Sequence, residues 1–359
     1  MIVRGVTIIT GTSGSGDGPA VPATPAVSDD EMRVRFPAHD FDGYWFFGGL
    51  RGGGDFRALM MGLSIGVNDG YDWGFRDVTP EPDYGLYLFR AIGPERSVGY
   101  GQQPIHRHQF EYDRRRLDVR LDDRVRVSLT GNDLRYHMQS PDGSLSLDLE
   151  GRLGGSAYWT PDMVFRGTSW VTVALPDIEF EGQLRADGEV IPLSGIATLD
   201  HPMGRNRRSE MSVGMGWWEY NCFMLNGGFG LFQWKIVDRA GDIVLNRAVT
   251  NFPDGQMHVG TMDLEYLEWE DRGTVQVPRA WRVVVHADHG VLEHEVRADG
   301  PPWDGTPHRR GDPLPNFALS LTGRLRLSDG SVLPTHGRGT GETVISERDP
   351  YRDQPQDPW

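Results

Sequence analysis

The sequence predicts an all-β protein with little helix, organised as two related antiparallel units, on three observations. First, 47 glycines and 24 prolines in 359 residues suit many short strands joined by turns better than long helices. Second, apolar residues recur with a period of two, and no long segment carries a 3.6-residue period. Third, one turn-and-strand pattern occurs twice at a constant offset. With 38% hydrophobic residues the chain has material for a substantial core.

Residues 1–35 read as a flexible arm. Residues 11–31 are small, rich in Gly, Pro and Ser, and end acidic, which is linker composition. The Gly-rich start lacks the Gly-Lys-Ser/Thr ending of a phosphate loop, and no helical pattern follows it. The first β unit spans 36–195. Within it Leu117, Val119 and Leu121 alternate with polar residues, Asp122-Asp123 offers a turn, and Val125, Val127 and Leu129 resume the alternation, which is a hairpin signature. Leu145, Leu147 and Leu149 form a further strand, and Ile178 and Phe180 run into a turn at Ala186-Asp187-Gly188. The second unit spans 196–345, with hairpins around Ala240-Gly241 and Ala287-Asp288. Residues 346–359 are polar and Pro-rich and read as a tail.

The repeat sets Asp187-Gly188-Glu189-Val190-Ile191-Pro192, followed by Gly195, Thr198 and Asp200, beside Asp329-Gly330-Ser331-Val332-Leu333-Pro334, followed by Gly337, Thr340 and Glu342. Asp-Gly is a tight turn feeding a strand, with glycine supplying positive φ. Turn grammar alone does not account for the joint Pro, Gly, Thr and acidic matches, so a duplication is expected. A weaker match sets Leu50-Arg51-Gly52-Gly53 beside Leu225-Asn226-Gly227-Gly228, each preceded by an aromatic cluster, Tyr44-Trp45-Phe46-Phe47 and Trp217-Trp218-Glu219-Tyr220.

Composition excludes several functions. A formal charge of −15 disfavours a general nucleic-acid binder, which needs a cationic face. A single cysteine, Cys222, excludes an intrachain disulfide and a zinc site built on several thiolates. In an apolar stretch it reads as an inert buried thiol. Lys235 is the single lysine and the one side-chain candidate for Schiff-base chemistry. No apolar run reaches the length of a membrane span and no signal peptide is recognisable, so a cytoplasmic location is expected. The G-x-S-x-G, H-E-x-x-H and EF-hand motifs are absent. His106 and His108 would share one strand face, with His137 as a third metal ligand from a neighbouring strand, but a solvated face among arginines explains them as well. No metal is expected.

The densest chemical constellation lies where the repeats join: Asp200-His201-Pro202-Met203-Gly204, then Gly216-Trp217-Trp218-Glu219-Tyr220. A carboxyl among tryptophan and methionine is desolvated, its pKa raised, and its neutral form available as a proton donor. That suits protonation of an unactivated C=C bond, with aromatic faces stabilising the carbocation. The competing reading has Asp200 capping a turn and hydrogen-bonded to backbone N–H groups, which would lower its pKa. An acid at the equivalent position, Glu342, favours this second reading.

The same residues resemble the D-H-x-x-G signature of the carotenoid 1,2-hydratase (hydroxyneurosporene synthase) and AttH-like superfamily. The resemblance covers roughly residues 40 to 345 and implies two tandem lipocalin-like β-barrels. In the hydratase branch the signature commonly reads D-H-N-W-G. There the aspartate is assigned the protonation of a terminal isoprenoid double bond, a role that falls here on Asp200, with His201 as its orienting or water-handling partner. Pro202 and Met203 stand in place of the Asn and Trp. Fungal relatives include pericyclases that fold polyenes without acid catalysis.

The expected function is cofactor-independent hydration, cyclisation or isomerisation of an apolar isoprenoid or polyene-like small molecule, held in an apolar cavity near the junction. Asp200 is the acid, His201 its partner, and Glu219 or Tyr220 positions water or takes a proton. Trp45, Met203, Trp217, Trp218 and Trp234 line the pocket. Two alternatives stay open: a lipophilic carrier without chemistry, and a pericyclase acting by preorganisation. The expected partner is the small molecule, with a second copy of the chain as the one protein partner entertained.

Overall fold

The computed structural model describes residues 27–36, 38–67, 83–101, 105–154, 156–161, 163–165, 168–205, 215–238, 240–251, 256–271, 276–301 and 316–345. These are almost all antiparallel strand. In the first half the strands form one curled sheet. Its order runs Ser97–Gly101, Asp83–Ile92, Ala58–Val67, Phe41–Gly52, Glu189–Arg205, Thr168–Ala186, Ser146–Leu153, Asp133–Gln139, Val125–Thr130, Asp118–Leu121 and Glu111–Tyr112. The second half is a closed barrel of eight strands, from Met215–Leu225 to Val332–Ile345, with these two paired to close it. Among the described residues no helix is long and apolar enough to cross a membrane.

The expected turns are present. Asp122 and Asp187 adopt positive φ (43° and 53°), and Gly188, Gly241 and Gly330 lie in the same left-handed region, each between paired strands. The period-two pattern sorts side chains into interiors. Leu117, Val119, Leu121, Val125, Val127 and Leu129 all enter one core inside the first sheet. Phe223, Trp281, Val283, Phe317 and Leu319 fill the barrel.

Two boundaries differ from expectation. Residues 196–205 complete the strand Glu189–Arg205 of the first sheet, so the change of sheet falls between Arg205 and Met215 and not at residue 195. A long strand paired on both sides carries the chain through the repeat before it crosses over. The end of the arm is also anchored. Ser28 and Glu31 form a capping box for the short helix Asp29–Met32, and Met32, Val34 and Phe36 are buried in the first core. Residues 1–26 of the arm and the tail 346–359 lie outside the described residues.

The repeat has a structural meaning. In the first sheet Trp45 lies opposite Asp200, and in the barrel Tyr220 lies opposite Glu342. Equivalent strand pairs from the two halves are packed against each other at the junction. A Cβ at Gly49 would overlap the Arg338 carbonyl, and one at Gly230 would overlap that of Pro176. The backbones of the halves therefore touch, which a side chain at either position would prevent.

Candidate active site

At the junction one apolar cluster draws on both halves. Phe47, Met60, Leu88, Tyr158, Met163 and Ala174 come from the first sheet; Trp218, Tyr220, Cys222, Phe232, Trp234 and Ile236 come from the barrel. Trp45, Val244, Met257 and Val259 are partly buried around it. Trp45 lies flat over Gly62, where a Cβ would collide with its ring. Phe47 and Tyr220 meet at 4.6 Å between ring centroids, and Tyr220 meets Trp234 edge-on at 5.4 Å.

Asp200 belongs to this layer. It is 5% exposed, and it sits in a strand, not a turn, between Trp45 on one side and Ala174 on the other. The Thr172 hydroxyl donates a hydrogen bond to Asp200 Oδ1. The Tyr220 hydroxyl lies near both this carboxyl and the Cys222 thiol and makes no closer hydrogen bond. Glu342 contributes a nearby negative charge. Its Oε1 accepts from Asn316 Nδ2 at 3.3 Å, and Asn316 Oδ1 accepts a hydrogen bond from Arg90 across the junction.

Burial raises the Asp200 pKa most, the Glu342 charge adds to it, and the Thr172 hydrogen bond opposes both; the result is about 7. The carboxyl is thus shifted toward its neutral form, beside Trp45 and Tyr220. Burial likewise pushes the Cys222 thiol up to about 12, which leaves it protonated and inert, as its sequence context indicates.

The adjacent residues do not join Asp200. Along a strand successive side chains point to opposite faces, so His201 enters the interior of the first half. Its ring stacks on Tyr44 at 4.3 Å and its Nε2 lies 3.3 Å from Asp42 Oδ1. Asp42 Oδ2 in turn accepts from the Arg35 backbone N–H at 3.0 Å, and the Tyr44 hydroxyl donates to the Met32 carbonyl at 2.8 Å. This buried pair ties the end of the arm to the sheet, and the expected Asp200–His201 partnership is not formed. Met203 shares the His201 face and is buried in the first core, away from the junction.

The same alternation separates Glu219 from Tyr220. Glu219 faces the barrel interior, where Tyr266 and Thr343 donate to Oε2 at 2.8 and 2.7 Å and Asn221 donates to Oε1 at 3.0 Å. Burial outweighs these three donors and raises its pKa to about 7. Trp217 follows it, meeting Tyr266 at 6.3 Å. Of the nine residues expected at one site, the structure brings together Asp200, Tyr220, Trp45, Trp218 and Trp234. Thr172, Arg90 and Asn316 were not singled out, since nothing local marks them; Glu342 had a signal in its match to Asp200.

Among the described residues no three His, Cys, Asp or Glu side chains converge as a metal site. His106 and His108 stack at 5.1 Å, while His137 Nδ1 lies 2.6 Å from Asp148 Oδ1. That pair borders an open groove of about 830 Å³ on the first sheet, also lined by Arg126, Arg135, Glu150 and Glu181. None of the junction residues lines it.

No protein-family model matches the chain, and no curated protein matches it in sequence. Solved structures do match in fold. A protein assigned as an AttH from Nitrosomonas europaea superposes with a TM-score of 0.59 at 16% identity, over 89% of this chain and 98% of that one. Kievitone hydratase from Nectria haematococca superposes with a TM-score of 0.58 at 13% identity, over 92% and 99%. The chain therefore shares its tandem lipocalin-like fold with both structures, over nearly the whole length of each.

Proposed function

We propose that the protein is a cofactor-independent enzyme of hydratase type, acting on a C=C bond of an apolar, isoprenoid- or polyene-like small molecule at the junction of its halves. The observation that carries this reading is Asp200, a buried carboxyl with a pKa near 7 set among Trp45, Tyr220, Trp218 and Trp234. The hydratase among the fold's relatives supports it. Trp45, Val244, Met257 and Val259, partly buried against the cluster, would be the side from which a ligand enters.

In the hydration direction the Asp200 O–H bond breaks and its proton forms a C–H bond at one alkene carbon. The π electrons supply that bond, leaving a cation at the other carbon beside the aromatic faces. Water adds to the cation, and the oxonium returns a proton to the Asp200 carboxylate. One water is consumed and the acid is restored. A negative charge on Glu342 disfavours ionisation of Asp200 and so favours its neutral form.

The test is turnover by the Asp200→Asn variant on an isoprenoid alkene library, read by mass spectrometry for a gain or loss of water. The amide matches the acid in shape but donates no usable proton, so the rate falls by about 10²- to 10⁴-fold with melting temperature retained. Undiminished turnover in the folded variant overturns acid catalysis in favour of substrate preorganisation. Recovery of every bound ligand unchanged from the unaltered protein supports carriage instead.

A further inference from the structure

A second candidate site lies at the rim of the closed barrel, on the opposite face of the strands that carry Tyr220 and Trp234. Trp217, Glu219, Asn221, Gln233 and Lys235 occupy the inward register of two neighbouring strands, with Glu219 opposite Lys235 and Asn221 opposite Gln233. Deepest along this face, Asn221 Oδ1, Gln233 Oε1 and Trp281 Nε1 are buried polar atoms without hydrogen-bond partners. Above them Tyr266 hydrogen-bonds the Glu219 carboxyl. At the rim Trp217, Lys235 and Tyr266 are half-buried and Trp269 is 38% exposed. Tyr266 meets Trp217 at 6.3 Å and Trp269 at 4.7 Å.

Lys235 is the feature that calls for a ligand. It is the single lysine of a chain with 51 acidic residues, yet its ammonium rests 5.8 Å from the Trp217 ring centroid. Among the described residues it has no carboxylate partner, Glu219 being engaged by Tyr266, Thr343 and Asn221. A cation that is half out of water, unpaired and held on an aromatic face is a locus for an anion. A cationic ligand is disfavoured, because Lys235 already occupies the Trp217 face. The interior below is closed by Trp281, Phe317 and Leu319, all nearly inaccessible, so the occupant stays at the rim.

We propose that this rim binds a small planar aromatic or conjugated carboxylate, its ring system against Trp217, Tyr266 and Trp269 and its carboxylate against the Lys235 ammonium. Aromatic walls with few convergent polar groups are the usual composition of such sites, and barrel mouths are a usual place for them. The site is independent of Asp200 and of the chemistry at the junction.

The single lysine makes the test specific. An amine-acylating reagent has two targets in the full chain, Lys235 and the terminal α-amine, which peptide mass mapping separates. 2-Naphthoate is the probe and neutral 2-naphthamide the control. The expected result is that naphthoate protects Lys235 from acylation and binds about tenfold or more tightly than the amide by tryptophan quenching. Lys235→Met removes the preference for the carboxylate, and Lys235→Arg keeps it. Unchanged acylation in saturating naphthoate, or equal protection by the amide, overturns the proposal. Protection lost in Trp45→Ala with Lys235 intact would place the probe at the junction and overturns it equally.

Discussion

Asp200 and Glu342, equivalent positions of the internal repeat, meet at the junction of the two halves, close enough for the charge of one to raise the pKa of the other. A duplicated unit packed on its own copy brings equivalent strand positions together, and here those positions are both acidic. Two carboxyls that share a site, Asp200 buried and Glu342 half-buried, do not ionise independently. The asymmetry comes from their surroundings: Asp200 has the Thr172 and Tyr220 hydroxyls, Glu342 has the Asn316 amide.

Replacing Glu342 by Gln removes the negative neighbour while keeping an oxygen that accepts from Asn316. The Asp200 pKa then falls, and the alkaline limb of the rate profile moves to lower pH. In the unaltered protein that limb lies near pH 7, where Asp200 loses the proton it donates. Profiles of kcat/KM against pH check both statements; coincident limbs contradict the coupling.

Thr172→Val acts in the other direction. The Thr172 hydroxyl donates to Asp200 and so favours the ionised form. Without it the pKa rises, and the alkaline limb moves to higher pH, while the melting temperature drops modestly for the loss of one buried hydrogen bond, about 1 kcal/mol. Opposite displacements of the limb in Glu342→Gln and Thr172→Val are the signature of one titrating group between them.

Stability should also record the buried acid. The Asp200 pKa is about 7 in the folded chain, against about 4 for an ordinary aspartate. Between those values the folded state holds the extra proton, so the Asp200 contribution to stability is full below about pH 4 and is lost as pH rises toward 7. Asp200→Asn cannot ionise and escapes that loss, which amounts to about 1.4 kcal/mol for every pH unit separating the folded and unfolded pKa values. Urea midpoints of the two proteins at pH 5 and pH 8 therefore diverge in favour of the variant at the higher pH. Parallel midpoints contradict the raised pKa.

His201→Ala should damage the fold and not the chemistry. It strands Asp42 without its ring partner, inside a core where both are inaccessible, at a cost of about 3 kcal/mol. The end of the arm, held through Arg35 and Asp42, becomes the first site of proteolytic cleavage. Turnover per folded molecule stays within a few-fold of the unaltered protein, as measured at a temperature where both are folded; a loss comparable to that of Asp200→Asn would give His201 a direct role.

The strands, their turns and the duplication were legible because each rests on local grammar: Asp187-Gly188 and Asp329-Gly330 for the turns, Val125, Val127 and Leu129 for the alternation. That Asp200, Tyr220 and three tryptophans lie together was legible because a carboxyl amid aromatics is unusual. The adjacency of Asp200 and His201 in sequence misleads, because the same period of two sends them to opposite faces. Glu219 and Tyr220 separate for that reason. Arg90, Asn316 and Thr172 arrive from distant strands through register, which no local pattern encodes.

The junction cluster also governs how the molecule comes apart. Its aromatic residues are drawn from both halves, and the backbones touch at Gly49 and Gly230. Neither half can open without stripping cover from the other. The two sheets should therefore melt together, with calorimetric and van't Hoff enthalpies in agreement. Gly49→Val, which forces the halves apart at Arg338, should split that single transition into two.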